Sequence, residues 1–145
     1  IKNCNSLIPT EIEFINEDKK ILNEYTSNFD NIRSKIDEQN INFYIDFIIN
    51  SLFTANKYFN DQEPWKKKDD PIRLNTIVYT TLEIIRKISF MLYPIIPETS
   101  LKALKIFNIT ENEIKFSSVK DHNFLKKGNK INSIDILFKK VEKND

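Results

Sequence analysis

The stretch that decides the fold runs from Asp70 to Pro94, DPIRLNTIVYTTLEIIRKISFMLYP. It opens with an aspartate, whose carboxylate can accept from a free helical amide. A proline follows at the first helical position, where a fixed φ and a missing N–H cost nothing. Leu74, Ile77, Val78, Leu82, Ile85, Ile88 and Leu92 then recur mostly at steps of three and four, the spacing that gathers side chains on one face of an α-helix. The pattern stops at Tyr93-Pro94, because the residue before a proline is pushed out of the helical region. A helix of this length with an apolar face needs partners carrying complementary faces.

Those partners lie on either side. Upstream, Asn40 can cap a helix whose stripe is Ile41, Tyr44, Ile45, Ile48, Leu52, Ala55 and Phe59. Before it, Asn16 can cap a single helix from about Glu17 to Glu38, with Leu22, Tyr25, Phe29, Ile32 and Ile36 on one side. Glu17 and Asp18 stand favourably against the positive end of that helix dipole. Short connections make neighbours antiparallel. Downstream, a shorter helix is predicted from Glu98 to about Phe107, and Thr110 with Glu113 has capping-box spacing. From Phe116 to Lys140 no helical period persists; Ile134, Ile136 and Phe138 alternate imperfectly, as a short extended segment would. The expected fold class is therefore all-α: one antiparallel helical bundle over residues 1–145 with a short irregular or extended C-terminal tail.

Composition narrows the chemistry. Apolar residues make up 40% of the 145 and charged ones 30%, the balance of a water-soluble globular domain, and no run approaches the roughly 20 apolar residues that span a bilayer. A single cysteine, Cys4, can form no internal disulfide and has no zinc-ligand companion, which points to a reducing, cytoplasmic setting. One glycine, Gly128, is too few for a phosphate-cradling loop or a dinucleotide fingerprint. His122 stands alone and reads as a surface residue. No nucleophile–base pair or metal cluster occurs at motif spacing, so catalytic, cofactor-binding and metal-ligating residues are expected to be absent. A net charge of +1 limits any nucleic-acid contact to a short, local footprint, because long duplex tracking needs many phosphate contacts.

One segment concentrates the remaining signal. After the second helix, residues 61–69 carry Pro64, the only tryptophan, Trp65, and the run Lys66, Lys67 and Lys68. An indole beside positive charge can hold an unstacked base while the cations hold phosphate. The same ring can instead plug the end of the bundle core, which is the commoner use of a lone tryptophan. The three lysines read equally as a solvated face. Asn56 offers both a donor and an acceptor to a base, or a hydrogen bond tying the helix end to the loop. Tyr58 and Phe59 read as core, Asp70 as a helix cap, and Arg73 as the partner of a carboxylate such as Asp69.

The run Ala55 to Trp65, ANKYFNDQEPW, resembles the anticodon-binding domain of methionyl-tRNA synthetases, which are class I aminoacyl-tRNA synthetases. Other blocks are similar in order and spacing: Ile1 to Asn5 followed by Ile8-Pro9; Arg73-Leu74-Asn75; Ile84 to Ile88; Met91 to Pro97; and Ile136 to Glu142, with Lys139 where the family usually has proline. The resemblance covers nearly the whole chain. It implies a helical bundle that recognises the CAU anticodon of methionine tRNA. Trp65 would stack on the splayed first base, with Pro64 of the same motif shaping the loop. Beside that motif, the chemistry of the side chains themselves offers Asn56 for reading a base and Lys66, Lys67 and Lys68 for attracting the RNA backbone.

It further implies that the chain is a fragment lacking the first bundle helix, which in the family carries an Asn and an Arg that read the anticodon. The catalytic nucleotide-binding domain, which uses ATP and methionine, would belong to the same parent polypeptide. An apolar groove is then expected where the first helix would pack. Two rivals stand beside this reading: the equivalent bundle of another class I synthetase, such as the leucyl or cysteinyl enzyme, and a helical protein-interaction module anchored by Trp65.

Overall fold

The computed structural model describes residues 6–27 and 29–133. Among the described residues five α-helical segments make up the bundle: α1 Asn16–Ser27, α2 Phe29–Asp37, α3 Ile41–Gln62, α4 Pro71–Leu92 and α5 Pro97–Leu104. Short 3-10 turns follow at Lys105–Phe107, Glu111–Glu113 and Phe116–Lys120. This is the all-α bundle expected, with an irregular tail as far as residue 133. The extended segment predicted around residues 134–138 lies outside the described residues.

The helix α4 is the axle. Its cap forms as read, with Asp70 Oδ1 accepting from the Arg73 amide at 3.0 Å and Pro71 in the first turn. The helices α1, α3 and α5 and the 116–120 turn all pack on it. The predicted single stripe is therefore too narrow. Tyr79, Ile84, Phe90 and Met91 are buried beside Ile77 and Ile88, and so are Thr80, Glu83, Arg86 and Lys87 from the expected polar side, while Ile85 is exposed. Where neighbours cover the side opposite the apolar stripe, the polar residues there are buried too.

The helix α3 begins at its expected cap, Asn40 Oδ1 accepting from the Phe43 amide at 3.2 Å. Early α3 meets late α4 where the Tyr44 hydroxyl donates to the Met91 carbonyl, and late α3 meets early α4 where Arg73 donates to Gln62. The pair is antiparallel. Likewise the Tyr58 hydroxyl donates to Asp18 at one end of α1 and the Tyr25 hydroxyl donates to the Ser51 carbonyl further along, so α1 is antiparallel to α3. Burial raises the pKa of Tyr25, Tyr44 and Tyr58 above the ordinary tyrosine range, so each stays a donor.

Within the stretch expected to be helical, helix is described on both sides of residue 28, as α1 and α2. Two local expectations need correction. Asn16 is the first helical residue rather than the cap; Asp18 takes the capping role, its Oδ2 accepting from the Ile15 amide at 2.9 Å. On α3, Tyr44 and Ile48 are buried, but Ile41, Ile45 and Leu52 of the predicted stripe are exposed, because α1, α2 and α4 together cover only part of the helix.

The chain returns on itself at its lower edge. The Ile8 amide donates to the Asn129 carbonyl at 2.8 Å and the Ile131 amide to the Ser6 carbonyl at 2.7 Å. Gly128, at φ +81°, makes the turn that permits this pairing, and its amide donates to the Ile8 carbonyl at 2.8 Å. Further up, Glu113 accepts from both the amide and the hydroxyl of Thr110, the contact that their spacing predicted.

Candidate nucleic-acid interface

The helix α3 stops because Glu63 turns left-handed, at φ 46° and ψ 57°, and Pro64 cannot continue the ladder. A 3-10 turn then runs over Pro64–Lys66, with the Lys66 amide donating to Glu63 (2.8 Å) and the Lys67 amide to Pro64 (3.1 Å). The Asp70 amide closes the loop by donating to the Lys67 carbonyl at 3.1 Å. Every step here is a tight, internally bonded turn.

This geometry settles which side chain seals the bundle end. Pro64 is buried, and Trp65 is 50% exposed. The indole is not the core plug that a lone tryptophan usually is; the proline takes that place. Phe59, one turn before the end of α3, supports the indole from beneath, with ring centroids 6.2 Å apart and planes tilted by 60°. Such a tilted pair holds a ring's orientation while leaving surface for another planar group.

The three lysines differ. Lys66 donates to Glu63 Oε1 at 2.7 Å, so its charge is locally matched, a contact worth only a few tenths of a kcal/mol at this exposed position. Among the described residues Lys67 and Lys68 form no ion pair, and Lys68 is exposed. Asn56 lies one turn before Phe59, exposed, and its side chain makes no hydrogen bond among the described residues. The tie from Asn56 to the loop, weighed on sequence grounds, does not form.

Arg73 pairs with a carboxylate, but with Asp18 rather than Asp69. Its Nη1 donates to Asp18 Oδ2 at 2.6 Å and its Nη2 to Oδ1 at 2.9 Å, a two-pronged contact across 55 residues of sequence. The Tyr58 hydroxyl donates to the same carboxylate at 2.6 Å, and Arg73 Nη2 also reaches Gln62 Oε1. Burial pushes the Asp18 carboxyl up, but the hydrogen bonds from Arg73 and Tyr58 outweigh it and hold the group below the usual carboxylate range. The residues of this cluster lie on three helices. No periodicity marks them, and only the buried carboxylate at a helix start could have hinted at a partner.

Beside Phe59 an apolar channel of about 410 Å³ opens between α3, α4 and α5, lined by Leu52, Ala55, Phe59, Ile85, Ile88 and Leu92 among others. An apolar groove is expected from the family resemblance, and this channel is the candidate for it. Ile45, Ile49 and Phe53 leave further apolar surface on α3, Phe53 being 67% exposed.

Among the described residues no cluster of His, Cys, Asp and Glu could hold a metal ion, and no helix is long and apolar enough to cross a membrane.

The fold places the chain with the all-α bundle domains of aminoacyl-tRNA synthetases. It superposes on the free-state methionyl-tRNA synthetase of Mycobacterium tuberculosis with a TM-score of 0.87 and 26% identity, covering 97% of this chain and 29% of that one. The same enzyme in complex with methionyl-adenylate gives 0.86 at 26% identity, covering 96% and 28%. Residues 8–145 match the family described as the anticodon binding domain of methionyl tRNA ligase, and the chain belongs to that family. Among its relatives, the methionine–tRNA ligase of Brucella suis is 33% identical over 119 residues and that of Mycobacterium leprae 30% over 123, each match covering 81% of this chain. The chain spans only 23% of the length of either.

Proposed function

We propose that this chain supplies anticodon recognition to a methionine–tRNA ligase, receiving the CAU anticodon of methionine tRNA for ATP-dependent aminoacylation by the parent enzyme. Trp65 offers its open surface to the first anticodon base and Pro64, seated beneath, fixes the loop. Asn56, with its free amide on the neighbouring helix face, meets the edge of a base. Lys67 and Lys68 attract the phosphates, and Lys66, already engaged by Glu63, adds less. The observation that carries this reading is the half-exposed indole propped on Phe59 at the tip of a stiff loop. Stacking of this kind accepts any base, so discrimination comes from groups around it.

The chain contributes no catalytic or cofactor-binding residue in this reading. Methionine activation with ATP belongs to the catalytic domain of the same polypeptide, and the work takes place in the cytoplasm. The Mycobacterium tuberculosis enzyme is found in complex with methionyl-adenylate, which supports ATP-dependent activation of methionine by the parent. The apolar channel beside Phe59 receives a helix from the remainder of the parent, which the length of the relatives supports. That helix would complete the bundle and bring its own side chains alongside Trp65.

The test is Trp65→Ala in the parent enzyme. Loss of one base–aromatic stack, about 1–3 kcal/mol, lowers kcat/KM for tRNA charging roughly 5- to 150-fold. Methionine-dependent ATP–pyrophosphate exchange should stay within about twofold of the unaltered enzyme, since adenylate formation needs no tRNA. Equal losses in both assays would sink the proposal. Transfer of activity to transcripts bearing other anticodons would assign the domain to a different synthetase. Binding of an anticodon stem-loop that ignores salt would favour a protein-interaction module instead.

A further inference from the structure

We infer that Arg73, anchored by Asp18, is a positioning residue for anticodon recognition: its guanidinium closes the base of the loop between α3 and α4 and so determines where the Trp65 ring stands. The inference rests on the reading of Trp65 as the stacking surface. Gln62 is the last residue of α3 and Arg73 lies in the first turn of α4, eleven residues apart, with Trp65 between them. One guanidinium joins both ends, because Nη2 donates to Gln62 Oε1 and also to Asp18 Oδ1.

The anchor itself is immobile. Asp18 is fully buried and accepts from Arg73 twice, from the Tyr58 hydroxyl at 2.6 Å and from the Ile15 amide at 2.9 Å. Tyr58 belongs to α3 and Ile15 leads into α1, so the carboxylate ties three parts of the bundle to one point. Between the stapled ends the loop is bonded to itself, from Lys66 to Glu63, Lys67 to Pro64 and Asp70 to Lys67. A stiff segment is oriented by its ends and by what lies beneath it, here the Arg73 staple and the buried Pro64. Only a planar, forked donor can grip a carboxylate with two prongs and still reach a third acceptor, which an ammonium cannot do in the same geometry.

The experiment uses the 145-residue chain, an RNA stem-loop carrying a CAU anticodon as the probe, and the fluorescence of Trp65, the chain's only tryptophan. Gln62→Met cuts the staple at a partly exposed residue and leaves the Asp18–Arg73 pair in place. Arg73→Lys keeps the charge without the fork. Gln62→Glu keeps an acceptor for Arg73. Expected in Gln62→Met and Arg73→Lys are a lower Trp65 anisotropy, easier acrylamide quenching and about tenfold weaker RNA binding, as when only one molecule in ten holds the competent pose. In Gln62→Glu the anisotropy returns to that of the unaltered chain. Circular dichroism checks the fold, and Gln62→Met decides if Arg73→Lys does not fold.

Unchanged anisotropy and unchanged binding in Gln62→Met overturn the inference. So does weaker binding with unchanged anisotropy, which would make Gln62 a direct contact. If Trp65→Ala binds the stem-loop as well as the unaltered chain, the stacking reading fails. The fluorescence arm then still judges the staple on its own.

Discussion

Lys87 offers the sharpest quantitative prediction. Its side chain is fully buried on α4, with the ammonium donating to the Val119 and Asp121 carbonyls and, among the described residues, forming no ion pair. Glu83, the nearest acid on the helix, spends one oxygen on Arg86, at 2.7 and 3.0 Å, and the other on the Leu125 amide at 2.7 Å and the Tyr79 hydroxyl. Burial first, and the positive Arg86 beside it second, pull Lys87 down to about 7, against the opposing attraction of Glu83 and Asp121. In the unfolded chain a lysine titrates near 10.4.

Between about pH 7 and 10.4 the unfolded chain therefore binds one proton more than the folded one, and stability rises with pH in that window. Below 7 both states are charged and the contribution is flat. One proton gives a limiting slope of about 1.4 kcal/mol per pH unit, about half of that at pH 7 where the folded lysine is half titrated, and so roughly 2.3 kcal/mol from pH 7 to 9. His122, packed nearby and held below its ordinary value by burial, adds a small slope that fades by about pH 7.5, so the comparison rests on the interval above it. The tyrosines begin to matter only near pH 10.

Urea unfolding of the 145-residue chain at half-unit steps from pH 7 to 9 reads the slope directly. Lys87→Met, which keeps the length and removes the proton, should flatten the profile while leaving the helical spectrum intact. Parallel profiles for the two proteins would refute the reasoning. They would mean that the two carbonyls stabilise the ammonium enough to cancel its desolvation.

Asp18→Asn breaks a buried, doubly bonded ion pair and should cost about 3–5 kcal/mol at pH 7 by denaturant titration. Since the Asp18 carboxyl titrates below its unfolded value of about 3.9, that difference persists above pH 4 and shrinks as the pH falls through the folded value. Glu63→Gly removes a non-glycine residue from the left-handed region, and a Tm rise equivalent to about 1 kcal/mol is expected despite the loss of the weak Lys66 contact. The channel between α3, α4 and α5 should bind an apolar dye such as ANS in this chain, and Leu52→Gln with Phe53→Gln should abolish the signal without changing helix content. In the longer parent the dye should find no such site if a helix of the parent fills the channel as proposed.

Much of the fold is legible because helix boundaries are local events. Asn40, Asp70-Pro71 and Tyr93-Pro94 act through hydrogen bonds and ring geometry within four residues, so reading them in order placed α3 and α4 correctly. The core residues Tyr44, Ile48, Ile77 and Ile88 follow from spacing for the same reason. Less legible was how many neighbours each helix would have. The helix α4 is covered on most sides and α3 is left half bare, and spacing alone cannot distinguish a polar outer face from a buried polar network such as Glu83, Arg86 and Lys87.

The candidate site divides in the same way. Its ingredients, a lone indole after a proline and three lysines between two long helices, stand together in five consecutive residues, 64–68, and chain connectivity alone holds them at one end of the bundle. That Pro64 rather than Trp65 fills that end, that Phe59 props the ring, and that Arg73 reaches Asp18 across 55 residues were decided only when the helices packed. Capping and periodicity act over a few residues and are written in the local order of side chains. Burial and long-range charge pairing depend on which surfaces meet, and that is a property of the assembled bundle.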